Sequence, residues 1–185
     1  MGKKESGLDA ALCAFIDRQH LFFVATAPAG SLGHVNLSPK GLELFRVLGP
    51  HEVAYLDVVG SGAETIAHVR ENGRITLMFC AFEGAPSILR LYGRGDVIEP
   101  QDPTFDLLRA RFGDVPGARA IIRVQVDRIA DSCGFGVPLF EYRGQRTQLT
   151  AWAGRKGDAG LRDYQRQKNA GSIDGLPALR WTDER

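Results

Sequence analysis

The sequence is poor in the residues that form covalent and metal cross-links. It has only three cysteines in 185 residues, and these lie far apart in apolar surroundings at positions 13, 80 and 133. An odd number with this spacing argues against a disulfide framework and against a zinc site. The four histidines also lack the spacing of metal ligands, such as two on one helical turn. We therefore expect reduced cysteines and no bound metal.

Long apolar runs and an excess of charge of one sign are missing as well. No run approaches the roughly 20 apolar residues that a membrane-spanning helix needs, and no secretion signal is evident at the start of the sequence. The 23 lysines and arginines nearly balance the 22 aspartates and glutamates, so the formal net charge is +1. No broad field attracts nucleic acid or an anionic membrane. We expect a cytoplasmic protein without nucleic-acid or membrane partners, in which any anion site is local.

The spacing of apolar residues predicts one mainly β domain with flanking helices, of the α+β class. Its six strands are mostly antiparallel, and Gly93 and Gly95 share one face of the fifth strand, where the simplest cause is a bend of the sheet. Beyond Asp131 the chain is too poor in apolar residues to form a second core, so this tail must pack on the rest of the domain or on a partner subunit. Strands are predicted at 21–27, 34–38, 52–58, 74–82, 87–99 and 120–129, with 42–47 extending or following the second, and helices at 8–20, 63–72, 103–112 and 158–169.

A first candidate for an anion site is the segment Asn36-Leu37-Ser38-Pro39-Lys40-Gly41. Residues two apart in a strand point to the same face, so the Ser38 hydroxyl and the Lys40 ammonium would meet the same ligand. A hydroxyl donor and a cation together suit a phosphate. The alternative interpretation is a polar turn that carries a solvated lysine.

A second candidate is Gly60-Ser61-Gly62-Ala63-Glu64-Thr65, a turn bracketed by glycines at the start of a helix. Free backbone amides and the helix dipole favour an anion at such a place. However, Ser61 and Glu64 also match a capping box, which would account for both residues without a ligand. Glu64 would repel a phosphate, so a cation such as Lys40 would have to offset its charge.

In order and spacing, these motifs resemble the pyridoxamine 5'-phosphate oxidase-like family. The resemblance rests on residues 36–41, the strand at Tyr55, the Gly60-Ser61 turn with its helix, and residues 72–79, and it covers residues 22 to about 129. It implies a six-stranded antiparallel split β-barrel that binds FMN. The tail, with residues 133–138 and 172–177, resembles one uncharacterised subgroup of the family.

The resemblance also implies a division of the chain and a set of cofactor contacts. Residues 1–20 would form a helix that packs on the barrel, 21–131 the FMN-binding split barrel, and 132–185 a helical tail of the same domain at a dimer interface. Ser38, Lys40, Ser61 and Thr65 would hold the flavin phosphate, and Asn36, Tyr55 and Leu56 would lie near the isoalloxazine edge. The full set of expected cofactor-binding residues is Asn36, Ser38, Lys40, Tyr55, Leu56, Gly60, Ser61, Thr65, Arg90 and Phe135.

This chain departs from the family pattern after the glycine-serine turn. Many relatives have an arginine-lysine pair there, whereas this chain has Gly62, Ala63 and Glu64. The phosphate would then be gripped more weakly, or from Lys40, Arg90 or Arg74. Phe135 lies between two glycines and is a candidate to face the ligand, whereas Trp152 and Tyr164 are expected to pack against the barrel.

The function that the resemblance implies is an FMN-dependent oxidoreductase that acts on an unidentified small molecule as a homodimer, with the cofactor at the interface. The flavin carries the redox chemistry, and no carboxylate or histidine is placed so as to be named a general acid or base. The basic residues that bind substrate in the true oxidase are not recognisable here. The alternatives are a non-catalytic flavin- or haem-binding split barrel, a deazaflavin-dependent reductase, and a barrel whose site has decayed.

Overall fold

The computed structural model describes residues 4, 5 and 7–182. Eight strands form one antiparallel sheet in the order β3-β2-β6-β7-β8-β5-β4, and the short β1 pairs with β8. The strands are β1 (Lys4–Glu5), β2 (Phe22–Thr26), β3 (Asn36–Lys40), β4 (Phe45–Gly49), β5 (Glu52–Val58), β6 (Arg74–Cys80), β7 (Ile88–Ile98) and β8 (Ala118–Ser132). The predicted fold class is confirmed, but the predicted count of six strands is too low because β1 and β4 are strands of their own.

The turn of the chain between β3 and β4 explains why β4 was not predicted as a separate strand. Leu42 and Glu43 both have positive φ, 63° and 56°, and so turn the chain sharply. This backbone region is usually taken by glycine or asparagine. A leucine and a glutamate therefore gave no turn signal, and residues 42–47 looked like one continuous extended segment.

The helices pack against the faces and ends of this sheet. They are α1 (Ala10–Asp17), α2 (Glu64–Asn72), α3 (Phe105–Arg109), which continues into the 3₁₀ turn Ala110–Phe112, and α4 (Gln148–Lys168), with a last 3₁₀ turn at Arg180–Thr182. α4 is interrupted at Gly157, whose φ is 61°, and it begins at Gln148 instead of Asp158 as predicted. No helix in the part of the chain that the structure describes is long and apolar enough to cross a membrane.

The core is divided between the two faces of the sheet. Val24, Tyr55 and Leu77 belong to a large cluster inside the barrel, whereas Leu56 belongs to a second cluster, with Phe112, on the other face of β5. Tyr55 and Leu56 are neighbours in β5, so they point in opposite directions. This division decides which residues of β5 can reach the site described below.

A third, smaller cluster carries the tail. Val59, Ala153 and Leu161 are buried together, and Trp152 and Tyr164 pack on them with their rings 5.0 Å apart. Trp152 and Tyr164 therefore pack on a cluster formed by two residues of α4 and by Val59, which directly follows β5.

The two glycines of β7 allow other groups to approach closely. The pairing of β7 with β8 shifts register between Tyr92 and Gly93. A Cβ atom on Gly93 would lie only 2.1 Å from the Gln125 carbonyl oxygen, and one on Gly95 would lie 3.1 Å from Val69. Such contacts are expected where a sheet bends or bulges, so the interpretation of Gly93 and Gly95 holds.

Candidate functional site

Strand β3 presents a polar face toward the inside of the barrel at one edge of the sheet. Asn36, Ser38 and Lys40 are half buried, while Leu37 and Pro39 between them are exposed. The side chains two apart thus lie on one face, as the alternation of a strand predicts. The site is built on this face, together with the end of β5 and the start of α2.

A buried ionic trio joins β3, β5 and β8. Asp57 is fully buried, and its carboxylate accepts hydrogen bonds from Lys40 Nζ at 2.9 Å and from Arg119 Nε at 2.6 Å. Burial alone would raise the pKa of Asp57, but the charges of Arg119 and Lys40 lower it from 3.8 to about 2. The carboxylate is therefore ionised at neutral pH, and the trio carries a net charge of one positive unit.

This positive charge lies where water screens it poorly. The Arg119 side chain is 5% exposed and the Lys40 side chain 19% exposed. Charges in such surroundings act more strongly on a neighbouring ion than surface charges do. Lys40 has three N–H donors and gives one to Asp57, so two remain for a ligand.

Beside the trio, a chain of hydrogen bonds fixes the polar side chains. Ser38 Oγ donates to Asn36 Oδ1 at 2.9 Å, and Asn36 Nδ2 donates to Thr26 Oγ1 at 3.1 Å and to Thr65 Oγ1 at 3.0 Å. Thr26 Oγ1 also lies 3.0 Å from Nδ1 of the buried His68. The direction of the bond between Thr26 and His68 follows the tautomer of the imidazole.

His68 and Tyr55 stay uncharged in this cluster. Burial lowers the pKa of His68, so its imidazole is neutral, and its Nε2 has no hydrogen-bond partner among the described residues. Burial, and next the carboxylate of Asp57, raise the pKa of Tyr55 well above its ordinary value, so its phenol keeps its proton. The ring of the fully buried Tyr55 lies 5.9 Å from Lys40 Nζ.

The turn at residues 60–63 has hydrogen-bonded carbonyl groups at Gly60 and Gly62, whereas the amides of residues 60–62 are free of partners among the described residues. Its Gly62 carbonyl accepts from Arg119 at 2.8 Å, and its Gly60 carbonyl accepts from Asn169 at 3.0 Å. Within the described residues, the amides of Gly60, Ser61 and Gly62 donate to no protein group, and the exposed Ser61 hydroxyl has no partner. Successive free backbone amides of a turn can together bind an anion.

The capping-box interpretation of this turn is wrong. The residue that caps α2 is Ala63, which has no side-chain cap bond, and Glu64 is already the first helical residue. Glu64 instead accepts a hydrogen bond from the Ile173 amide at 3.1 Å. The tail thus takes the carboxylate that a capping box would use, and Ser61 is left available.

A second contact fastens the tail to β3. Asp174 accepts from the His34 amide at 2.8 Å and lies 2.7 Å from His34 Nδ1. The side-chain bond to His34, followed by the backbone bond, lowers the pKa of Asp174. The loop around Ile173 therefore borders the site next to the start of β3.

Several residues predicted from the sequence lie away from this cluster. Leu56 is buried on the opposite face of β5, and Phe135 is 81% exposed in the turn after β8. Arg90 donates to Ser132 Oγ at 3.0 Å, and Arg74 donates to the Pro28 carbonyl at 3.1 Å. The structure therefore brings together Asn36, Ser38, Lys40, Tyr55, Gly60, Ser61 and Thr65 of the predicted set, but not Leu56, Arg90 or Phe135.

The sequence prediction missed three residues that form hydrogen bonds to the site residues, Asp57, Arg119 and Asn169. Asp57 could have been noticed as a charged residue in an apolar strand, on the same face as Tyr55. Arg119 and Asn169 gave no such signal, because their partners Asp57 and Gly60 are 62 and 109 residues away in the sequence. No group of three or more His, Cys, Asp or Glu side chains among the described residues is arranged to hold a metal ion.

Comparison with known proteins gives matches over most of the chain. A family model for pyridoxamine 5'-phosphate oxidase matches residues 8–133. The pyridoxamine 5'-phosphate oxidase family protein ustO of Aspergillus flavus is 44% identical over 181 residues, which cover 88% of this chain and 72% of that protein.

Solved structures share the fold at low sequence identity. A FAD-binding protein of Mesorhizobium loti has a TM-score of 0.50 at 14% identity, covering 71% of this chain and 96% of its own. A pyridoxamine 5'-phosphate oxidase-related, FMN-binding protein of Nostoc punctiforme has a TM-score of 0.50 at 11% identity, covering 69% and 84%. At these identities the likeness shows the split-barrel fold alone.

Proposed function

This chain belongs to the pyridoxamine 5'-phosphate oxidase family, and from that premise we propose that it is an FMN-dependent oxidoreductase acting on a small molecule. The family resemblance implies FMN, and the two structural neighbours are described as FAD-binding and FMN-binding proteins. The residues of this chain provide an independent test of whether such a cofactor fits.

The observation that carries the proposal is the pairing of a net positive trio with free donors. Lys40 and Arg119 together outweigh Asp57 by one charge, and the unpartnered Ser61 hydroxyl and the amides of residues 60–62 lie at the turn that Arg119 holds. A phosphate monoester carries roughly 1.5 to 2 negative charges at neutral pH and three acceptor oxygens. The cluster therefore matches the FMN phosphate in charge and in donors.

The family's missing arginine-lysine pair is replaced in this proposal by charge from outside the turn. Lys40 comes from β3 and Arg119 from β8; Arg119 contacts the turn before α2 directly, and Lys40 is linked to Arg119 through Asp57. Glu64, which would repel the phosphate, is engaged by the Ile173 amide. Asn36 would lie near the flavin beyond its phosphate, with the buried Tyr55 and Thr65 behind it.

The flavin, when bound, supplies the redox chemistry by accepting a hydride and passing electrons to an acceptor. The residues of the site would bind and orient it, and the uncharged Tyr55 and His68 leave the charge of the site to the trio. We assign no general acid or base, because no titratable group of the cluster is both exposed and free of a structural bond.

We propose further that the protein is a homodimer with the cofactor at the interface. Large apolar side chains are exposed beside the site on β3 and on the loop that borders it: Leu32 is 94% exposed, Val35 75%, Leu37 63% and Ile173 72%. Exposed apolar patches next to a site mark interaction surfaces. A second copy would cover this patch and close the site.

We expect the variant Lys40→Ala to bind FMN about 10- to 150-fold more weakly, which corresponds to about 1.5–3 kcal/mol, the value of a charge-assisted hydrogen bond. The measurement is a titration that follows the quenching of flavin fluorescence. Lys156→Ala is the matched control, because Lys156 stacks on Trp152 and Tyr164 in the tail cluster.

Riboflavin, which lacks the phosphate, identifies the group that Lys40 contacts. Its affinity should change far less than that of FMN in Lys40→Ala. Equal losses for both flavins, or FMN binding unaltered by the substitution, would show that Lys40 does not hold the phosphate.

A further inference from the structure

A cavity lies beside Arg119. It has a volume of about 460 Å³ and is bounded by the start of β8, the second half of α4 and the 3₁₀ turn at Arg180–Thr182. Its wall includes Ala118, Leu161 and Trp181. The proposed flavin site does not use any of these three residues.

The floor of this cavity holds a buried amide with no partner. Gln165 is only 7% exposed, and its side chain makes no hydrogen bond to any residue that the structure describes. An amide carries two donors and an acceptor, and no group within the described residues uses them. Gln165 lines the cavity, so a ligand there can form hydrogen bonds with this side chain.

Arg119 supplies a second donor to the same floor. Its Nε donates to Asp57 and its Nη1 donates to the Gly62 carbonyl, whereas its Nη2 has no hydrogen-bond partner among the described residues. A guanidinium presents its donors in one plane as a fixed fork. The direction of Nη2 is therefore set by the two bonds already made.

The rim of the cavity sets the charge of a suitable ligand. Arg162 and Asp158 are both exposed, line the cavity, and make no ion pair within the described residues. The Arg162 guanidinium would attract an anion entering the cavity, and the Asp158 carboxylate would oppose a second negative charge. Leu161 and the half-buried Trp181 provide apolar surface for the body of the ligand.

We propose that this cavity binds a small monovalent organic carboxylate with an apolar or aromatic body. The carboxylate accepts from Arg119 Nη2 and from the Gln165 amide, and the body packs on Leu161 and Trp181. A planar carboxylate suits the guanidinium fork, and Asp158 disfavours phosphate monoesters, which are more highly charged. This site shares Arg119 with the proposed flavin site, but it uses Nη2 of that side chain, and it does not require a bound flavin.

Phenylacetate is a suitable probe, with the neutral 2-phenylethanol as its matched control. Binding is followed by calorimetry and by the fluorescence of Trp181 in the Trp152→Phe background, which leaves Trp181 as the single tryptophan. We expect saturable binding with Kd on the order of 0.1–1 mM, and binding of 2-phenylethanol at least about 10-fold weaker, as loss of a charge-assisted bond implies.

Two variants test the assigned residues, and one controls for the substitution itself. Gln165→Leu should weaken phenylacetate binding about 10-fold, since it removes the buried amide, and Arg162→Gln at the exposed rim should weaken it less. Gln148→Leu, at an exposed position of the same helix, should leave binding unchanged. If Gln165→Leu does not fold, Arg162→Gln still provides the test, because an exposed rim residue is not needed for folding.

Several results would overturn the proposal. These are the absence of saturable binding in the wild-type protein, equal binding of phenylacetate and 2-phenylethanol, and unchanged affinity in both Gln165→Leu and Arg162→Gln. Competition of FMN with phenylacetate would also overturn it, since it would place both ligands in one site. Loss of FMN binding in Lys40→Ala, with phenylacetate binding retained, separates this proposal from the proposed function.

Discussion

Replacing Asp57 by asparagine is expected to lower the free energy of unfolding by about 3–5 kcal/mol, the usual cost of breaking a buried ion pair on one side. Asp57 is fully buried and is the only carboxylate that contacts Lys40 and Arg119 among the residues that the structure describes. Asparagine has nearly the same shape but no charge. It would leave two cations without compensation inside the barrel, so the destabilisation comes from charge and not from a cavity.

The same residue gives the wild-type protein a defined dependence on pH. Arg119 and Lys40 hold the pKa of folded Asp57 at about 2, below its ordinary 3.8. A group whose pKa is lowered on folding contributes stability above its unfolded pKa and loses it as the pH falls through the folded pKa. We therefore expect the free energy of unfolding of the wild type to fall by about 2 kcal/mol between pH 4 and pH 2 because Asp57 is protonated. Asp57→Asn should not show this decrease, because it lacks the titrating carboxyl group.

Urea unfolding at neutral pH and at acid pH measures both effects. Asp96→Asn is the matched control, because Asp96 is 68% exposed and pairs with Arg123 at the surface at 3.1 Å. Exposed ion pairs contribute no more than about 1 kcal/mol to the free energy of unfolding. If Asp57→Asn lowered the free energy of unfolding no more than Asp96→Asn does, the trio would not be the buried ionic centre that we describe.

Replacing Glu99 by glutamine is also expected to lower the free energy of unfolding by about 3–5 kcal/mol. Glu99 is fully buried at the end of β7 and forms ion pairs with Arg70 and Arg180. It also accepts from the Arg180 amide at 3.3 Å and from Gln101 at 3.1 Å. The carboxylate therefore joins α2 to the last 3₁₀ turn of the chain.

Loss of this charge should loosen the end of the tail as well as destabilise the domain. Limited proteolysis should cut Glu99→Gln near Arg180 faster than the wild type, while urea unfolding gives the change in stability. Asp163→Asn is the control, since Asp163 pairs with Arg166 at an exposed position of α4 at 3.4 Å. Equal protease sensitivity of Glu99→Gln and the wild type would mean that the tail is held by other contacts.

The local parts of the fold and of the site could be predicted from the sequence. Strand alternation placed Asn36, Ser38 and Lys40 on one face, and Gly73 closes α2 with a φ of 71°, as a left-handed cap should. Each of these inferences uses residues within one element, where side-chain direction follows from the period of the backbone. Such features do not depend on the rest of the chain.

What the sequence could not reveal depends on long-range pairing. Asp57 meets Arg119 because β5 and β8 are neighbours in the sheet. Glu64 does not close a capping box, because the tail brings the Ile173 amide to it. Both are tertiary contacts, and no local pattern in the sequence specifies them. The direction of Leu56 was missed for a simpler reason, since adjacent strand residues face opposite ways and Leu56 was grouped with Tyr55.

Whether the barrel holds FMN is tested directly by the visible spectrum of the purified protein and by the mass of the compound that heat releases from it. We predict the yellow spectrum of an oxidised flavin, or its appearance when FMN is added, and a released mass equal to that of FMN. Release of FAD, a deazaflavin or haem would contradict the assignment of the cofactor. A colourless protein that takes up no FMN on titration would contradict the account of the site.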